Sequence, residues 1–155
     1  MGLAVEHRIS AGVIVENDNK ILLVRHLKPG AYDFWVAPGG GALGDEDLRA
    51  TAKREAFEES GLHIEPDRML YIEEFVQPGK RHCKVWFAAR LVGGTLDCGA
   101  PEARSERIVE AAWLAREELV DKTVFPPMLL NDYWDDKAAG RTEPRYVGLR
   151  QMDFY

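Results

Sequence analysis

Between Phe34 and Gly61 the chain passes from an apolar run, Phe34-Trp35-Val36-Ala37, through Pro38-Gly39-Gly40-Gly41, into a charged stretch that ends on another glycine. The apolar run reads as a strand, and the glycines after it read as a loop that a ligand can approach closely. Asp45 or Asp47 can accept from the first free amides of a helix, and Gly61 can take the left-handed conformation that ends one. Helix limits of about 47 to 60 follow. At about 100° per residue, Glu58 and Glu59 fall about 60° and 40° to either side of Glu55, so the three carboxylates share one face. Leu48, Ala52 and Ala56 run beside them, small enough to let the helix lie close to a sheet.

A run of charge usually ends as a solvated helix face. Three carboxylates packed together can also hold a cation, and oxygen ligands suit Mg²⁺, with Mn²⁺ as the alternative, because no Cys or His lies among them to recruit zinc. Arg54 stands four residues before Glu58, the spacing at which an ion pair holds a carboxylate in position.

The setting decides between these fates. Gly40, Glu46, Arg54, Glu55, Glu58, Glu59 and Gly61 stand in the pattern Gly-x5-Glu-x7-Arg-Glu-U-x-Glu-Glu-x-Gly-U, where U is apolar. This resembles the Nudix box, and seven such identities coincide by chance below about one time in a million. Ala56 is smaller than the aliphatic residue usual at its position, and Gly44 comes one residue earlier than usual. Neither departure removes a carboxylate.

The resemblance implies an α/β chain, a Nudix α/β/α sandwich with a mixed β-sheet. Trp113-Leu114, Glu117-Glu118-Leu119 and Phe125-Pro126-Pro127 are similar to the family's C-terminal half. It also implies a divalent metal and a water that cleaves the diphosphate linkage of a nucleoside diphosphate linked to some group X, such as a nucleoside triphosphate, ADP-ribose or a sugar nucleotide. Carried over by position, Glu55, Glu58 and Glu59 become metal ligands, with the Gly39 carbonyl as a further ligand. Arg54 becomes the orienter of a ligand carboxylate, and Glu46 a helix-start group. For the general base, Glu59 or Glu58 ranks first, followed by Glu106 ahead of Glu102 and Glu110. A non-catalytic nucleotide sensor would carry a damaged box or an attached module. An isoprenoid diphosphate isomerase would need further Cys and Glu groups in a distinct arrangement. The sequence gives no basis for either.

Substrate contacts are less sharply marked. Arg25, Arg81, His82 and Lys84 can reach phosphates or a ribose. Trp35 and Phe34, with Phe75, Trp86 and Tyr133, can stack on a base, although alternating aromatics usually fill a core. Gly39 and Gly40 let a ligand approach the backbone. Pro78 lies sixteen residues beyond Leu62, near where ADP-ribose-cleaving members carry a proline, yet Gln77-Pro78-Gly79 also reads as a hairpin turn.

At 155 residues and 46% hydrophobic, the chain is expected to be a single domain over 1–155. Its net charge of -6 and pI near 5.3 argue against general nucleic-acid or anionic-membrane binding. Cys83 and Cys98 form no close pair, and His7, His26, His63 and His82 have no zinc-ligand spacing. No stretch approaches the roughly 20 apolar residues of a membrane span, and no signal-like start is present. A cytoplasmic enzyme acting on a small nucleotide-derived substrate is expected, with a homodimer left open.

Strands are predicted at 9–15 and 21–24 around the polar turn 16–20, then at 33–37, 70–76, 84–91 and 109–114. Residues 116–119 read as a helical turn and 126–139 as a closing helix. The tail from Arg141 gives no clear pattern.

Overall fold

The computed structural model describes residues 2 and 4–152, and among them nine strands join in one mixed sheet. The first hairpin pairs β1 (Glu6–Asn17) with β2 (Lys20–Lys28). Its turn residues Asp18 and Asn19 both sit at positive φ, 55° and 61°, the type I′ geometry whose twist matches a two-residue hairpin and which Asn and Asp tolerate. Next come β3 (Tyr32–Val36), β4 (Gly39–Gly41) and helix α1 (Leu48–Ser60). A second hairpin joins β5 (Leu62–Gln77) to β6 (Lys80–Gly94), turning at Pro78-Gly79 with Gly79 at φ 78°. Helix α2 (Pro101–Ser105), β7 (Ile108–Ala115), a 3₁₀ turn at Arg116–Leu119 and β8 (Val124–Phe125) follow. A 3₁₀ turn at Pro127–Leu130, α3 (Asp132–Ala138) and β9 (Arg145–Gln151) close the described chain.

The strands run in the order β8-β3-β2-β1-β6-β5-β9, with β4 also on β1 and β7 also on β2. The β1–β6, β3–β8 and β5–β9 pairs are parallel and the others antiparallel. Alternation along β1 and β6 builds two cores. Ala11, Val13 and Val15 with Val85 and Phe87 pack against Ala52 and Ala56 of α1. Ile14 and Trp86 belong to the larger core on the other side, with Phe34, Tyr71 and Leu129, and Tyr133 and Trp134 of α3 pack against it. Each fully buried aliphatic or aromatic side chain contributes about 1.5–3 kcal/mol. The α/β architecture implied by the sequence is the one observed.

Three local expectations change. The segment Gly39–Gly41 is a short strand paired to Ser10–Gly12 and not a loop; the absence of side chains lets it lie against α1 and β1 together. The closing helix over 126–139 is split, because Asn131 at φ -141° interrupts it between the 3₁₀ turn and α3. The unclear tail forms β9, which adds to the β5 edge of the sheet. No helix among the described residues is long and apolar enough to cross a membrane.

Candidate active site

Helix α1 starts where the Asp47 side chain accepts from the Ala50 amide at 2.8 Å and stops at Gly61, φ 75°. Within it Arg54 acts as a hub. Its guanidinium donates to both Glu46 oxygens (2.7 and 3.1 Å), to Glu55 (2.9 Å), to Glu58 (3.1 Å) and to the Gly41 carbonyl (3.0 Å). Glu46 also accepts from the Leu43 amide and the Thr51 hydroxyl. These bonds, with that from Arg54 foremost, hold its carboxyl down to about 2. Arg54 and Glu46 thus fasten the helix to β4 and fix the direction of Glu55.

Glu55 and Glu59 are 7% and 3% exposed, and they meet Glu106, just beyond α2, with one oxygen of each within 4.8 Å of the others. Burial pushes the Glu59 carboxyl well above the usual carboxylate range, and the charges of Glu55 and Glu106 add to the effect. Burial and Glu55 raise Glu106 likewise. The donor set is all oxygen and mutually repulsive, buried at Glu55 and Glu59 and open to solvent at Glu106, which fits a hard divalent cation and not zinc. Backbone lies close by, since the Gly39 amide donates to Glu59 at 3.4 Å. A Cβ on Gly40 would stand 2.5 Å from the Glu55 carboxyl carbon, so the strand's bareness is what admits the carboxylate.

Beside this cluster lies a cleft of about 310 Å³. Strand register explains its floor. Arg8 pairs with His82 and Ser10 with Lys84 across β1 and β6, while Phe75 pairs with His82 across β5. Residues two apart face the same way, so Arg8, Ser10, His82, Lys84 and Phe75 all line the cleft, together with Glu59 and Glu106. His82 stacks on Phe75 with ring centroids 4.4 Å apart.

The sequence candidates separate accordingly. Glu55, Glu59 and Glu106 converge, with Gly39 and Gly40 against them. Glu58 lies outside that convergence, held by Arg54 and raised chiefly by burial. Arg25 is gripped at both ends by Asp33, at 2.8 Å each, and lies 3.6 Å from Glu110. Arg81 donates to Glu74. Neither arginine borders the cleft. Trp35, Phe34 and Trp86 are core residues, Tyr133 packs against that core, and Glu102 does not join the three-carboxylate cluster. Arg8, Ser10, His26, Tyr32 and Arg107 border the cleft without having been singled out for it. The signal for the first two was Arg8-x-Ser10-x-Gly12, polar and small residues alternating with an apolar strand face.

His26 braces the loop that carries Glu106. Its Nδ1–H donates to the Glu106 carbonyl at 3.0 Å, and the ring stacks on Phe34. Burial lowers its pKa to about 4. The unfolded chain therefore takes up a proton below about pH 6.5 that the folded chain refuses until about 4, so stability is full above 6.5 and falls through that window. Urea denaturation at pH 7.5 and 4.5 is expected to show wild type losing about 1–3 kcal/mol more than His26→Gln. Equal losses would contradict this account.

The chain is similar to known proteins in sequence and in fold. The NUDIX domain profile matches residues 6–131. Nudix hydrolase 2 of Arabidopsis thaliana is 28% identical over 94% of this chain and 52% of its own length. The 8-oxo-dGDP phosphatase NUDT18 of Homo sapiens is 33% identical over 69% of this chain and 32% of its own. The chain thus spans about half of the first relative and about a third of the second. Among solved structures, a NUDIX hydrolase from Nitrosomonas europaea superimposes with a TM-score of 0.73 at 23% identity, covering 90% of this chain and 93% of that one. With its box intact and the family profile spanning most of its length, the chain belongs to the Nudix family.

Proposed function

We propose that the chain is a Mg²⁺-dependent pyrophosphohydrolase that cleaves the diphosphate linkage of a nucleoside triphosphate or another nucleoside diphosphate derivative. The observation that carries this reading is the meeting of Glu55, Glu59 and Glu106 at a cleft that Arg8, Lys84 and Arg107 also line. Glu55, Glu59 and Glu106 would hold the cation. When bound, a divalent ion supplies positive charge against the diphosphate and makes nearby water more acidic. The chain's own residues do the rest. Arg54 keeps the Glu55 carboxylate aimed, and β4, bare of side chains of its own, lets Glu55, Lys84 and Arg8 close in over its glycines. Glu106, the member of the cluster that comes from outside the helix, is exposed enough to meet solvent and takes the proton of the attacking water.

The test is incubation with Mg²⁺, and separately Mn²⁺, against nucleoside triphosphates, ADP-ribose, sugar nucleotides and dinucleoside polyphosphates, with products identified by chromatography. The human relative is named for 8-oxo-dGDP, so that compound belongs in the panel. Release of a nucleoside monophosphate with the complementary phosphorylated product is expected. Absence of turnover with every compound and both metals would refute the reading.

A further inference from the structure

Three cations, Arg8, Lys84 and Arg107, line the cleft. Lys84 Nζ lies 4.3 Å over the Trp86 ring. Neither it nor Arg8 joins an ion pair among the described residues, whereas Arg25, Arg54, Arg81, Arg145 and Arg150 all do. Lys84 feels the charges of Glu59, Glu73, Glu55 and Glu106, and Arg8 that of Glu106, but neither bonds a carboxylate directly, so each retains donors for a ligand.

Their placement is ordered along β4. The Lys84 stem abuts Gly39, where its Cε would stand 3.0 Å from an added Cβ, and the Arg8 guanidinium covers Gly41, its Nε 2.5 Å from the corresponding point. Glu59 shares the Gly39 end with Lys84, and Glu55 lies at Gly40. The strand spans roughly 7 Å from first residue to last, so Arg8 stands one to two residues beyond the carboxylates. Arg107, at φ 62°, borders the same cleft.

We propose that Arg8, assisted by Lys84, grips a free terminal phosphate, and that the cleft therefore favours nucleoside tri- and diphosphates over diphosphate diesters such as ADP-ribose. A terminal phosphate carries about -1.5 to -2 charge and offers three unlinked oxygens, whereas an internal diester phosphate carries a single charge and offers two. A guanidinium meets two such oxygens at once. The preference thus arises from the phosphate end and not from the base. This rests on the phosphoanhydride-hydrolase reading above.

ATP, ADP and ADP-ribose share one nucleoside, as do GTP, GDP and GDP-mannose, so within either series only the phosphate end varies. In the series that is turned over, wild type is expected to prefer the free-phosphate members by about tenfold or more in kcat/KM. Arg8→Met should raise KM for those members about tenfold with kcat within about twofold, and change the diester within about twofold. Lys84→Met should act in the same direction, while Arg90→Met, farther along β6, changes nothing. Binding of α,β-methylene-ATP by calorimetry supplies a readout without turnover, with Kd about tenfold weaker in Arg8→Met. Should Lys84→Met fail to fold, Arg8→Met at an exposed strand position decides alone. No turnover of any compound defeats the hydrolase reading and leaves the binding arm to judge this one. Equal Kd in wild type and Arg8→Met, no binding to wild type, or diesters turned over as well as triphosphates overturns it.

Discussion

Glu59→Gln is expected to yield a protein more heat-stable than the wild type and at least about a hundredfold lower in kcat. The two effects share one cause. Glu59 is 3% exposed, accepts a hydrogen bond from the Gly39 amide at 3.4 Å, and faces Glu55 and Glu106. Keeping a charge there in the absence of a cation opposes folding, and an amide of the same shape removes that cost. A gain of about 1 kcal/mol corresponds to about 2–4 °C in Tm for a domain of this size. The sign follows from linkage. A carboxyl raised in the folded state binds its proton more readily folded than unfolded, so wild type loses stability as pH rises above about 4.5. The variant's advantage should be largest near pH 8 and vanish by about pH 4.5. Millimolar Mg²⁺ should raise the Tm of wild type and leave that of the variant nearly unchanged, because binding only to the native state stabilises it. Thermal scans with and without Mg²⁺ check this. A variant less stable than wild type at pH 8, or one that keeps its activity, would show that the carboxylate serves packing and not a ligand.

That one residue can be asked to weaken the fold and enable chemistry explains which parts of this protein were legible in its sequence. The box helix was readable to within a residue of its ends, because Asp47 and Gly61 mark local backbone events. Hairpin turns at Asp18-Asn19 and Pro78-Gly79 were readable for the same reason. What failed to show was pairing between distant segments. Gly39–Gly41 forms a strand only because Ser10–Gly12 lies beside it, and β9 forms only against β5. Pro66 lies within β5 at a shift in register with β6. The site divides likewise. Its helical half is written at fixed spacing between Glu46 and Glu59, but Arg8, Lys84 and Glu106 reach it from separate strands and a loop. Arg25 and Arg81 had the right chemistry for phosphate, and Asp33 and Glu74 engage them instead.

Arg54→Met should destabilise the fold by about 2–4 kcal/mol and lower activity about ten- to a hundredfold. Methionine keeps much of the apolar stem but gives up five hydrogen bonds, to Glu46, Glu55, Glu58 and Gly41. Three carboxylates are then left facing one another, and β4 loses its tie to α1. Arg54→Lys should recover only part of the loss, since one ammonium cannot span both Glu46 oxygens and still reach Glu55, Glu58 and the Gly41 carbonyl. Urea denaturation separates this from a general packing defect through its pH dependence. Arg54 holds the Glu46 carboxyl down to about 2, so the stability from that pair is complete above about pH 4.5 and is lost as pH falls toward 2. The deficit of Arg54→Met should accordingly be constant between pH 5 and 8 and shrink below about 4.5. A deficit that stays constant down to pH 2.5 would assign the residue's contribution to its stem, and full recovery by lysine would assign it to charge alone.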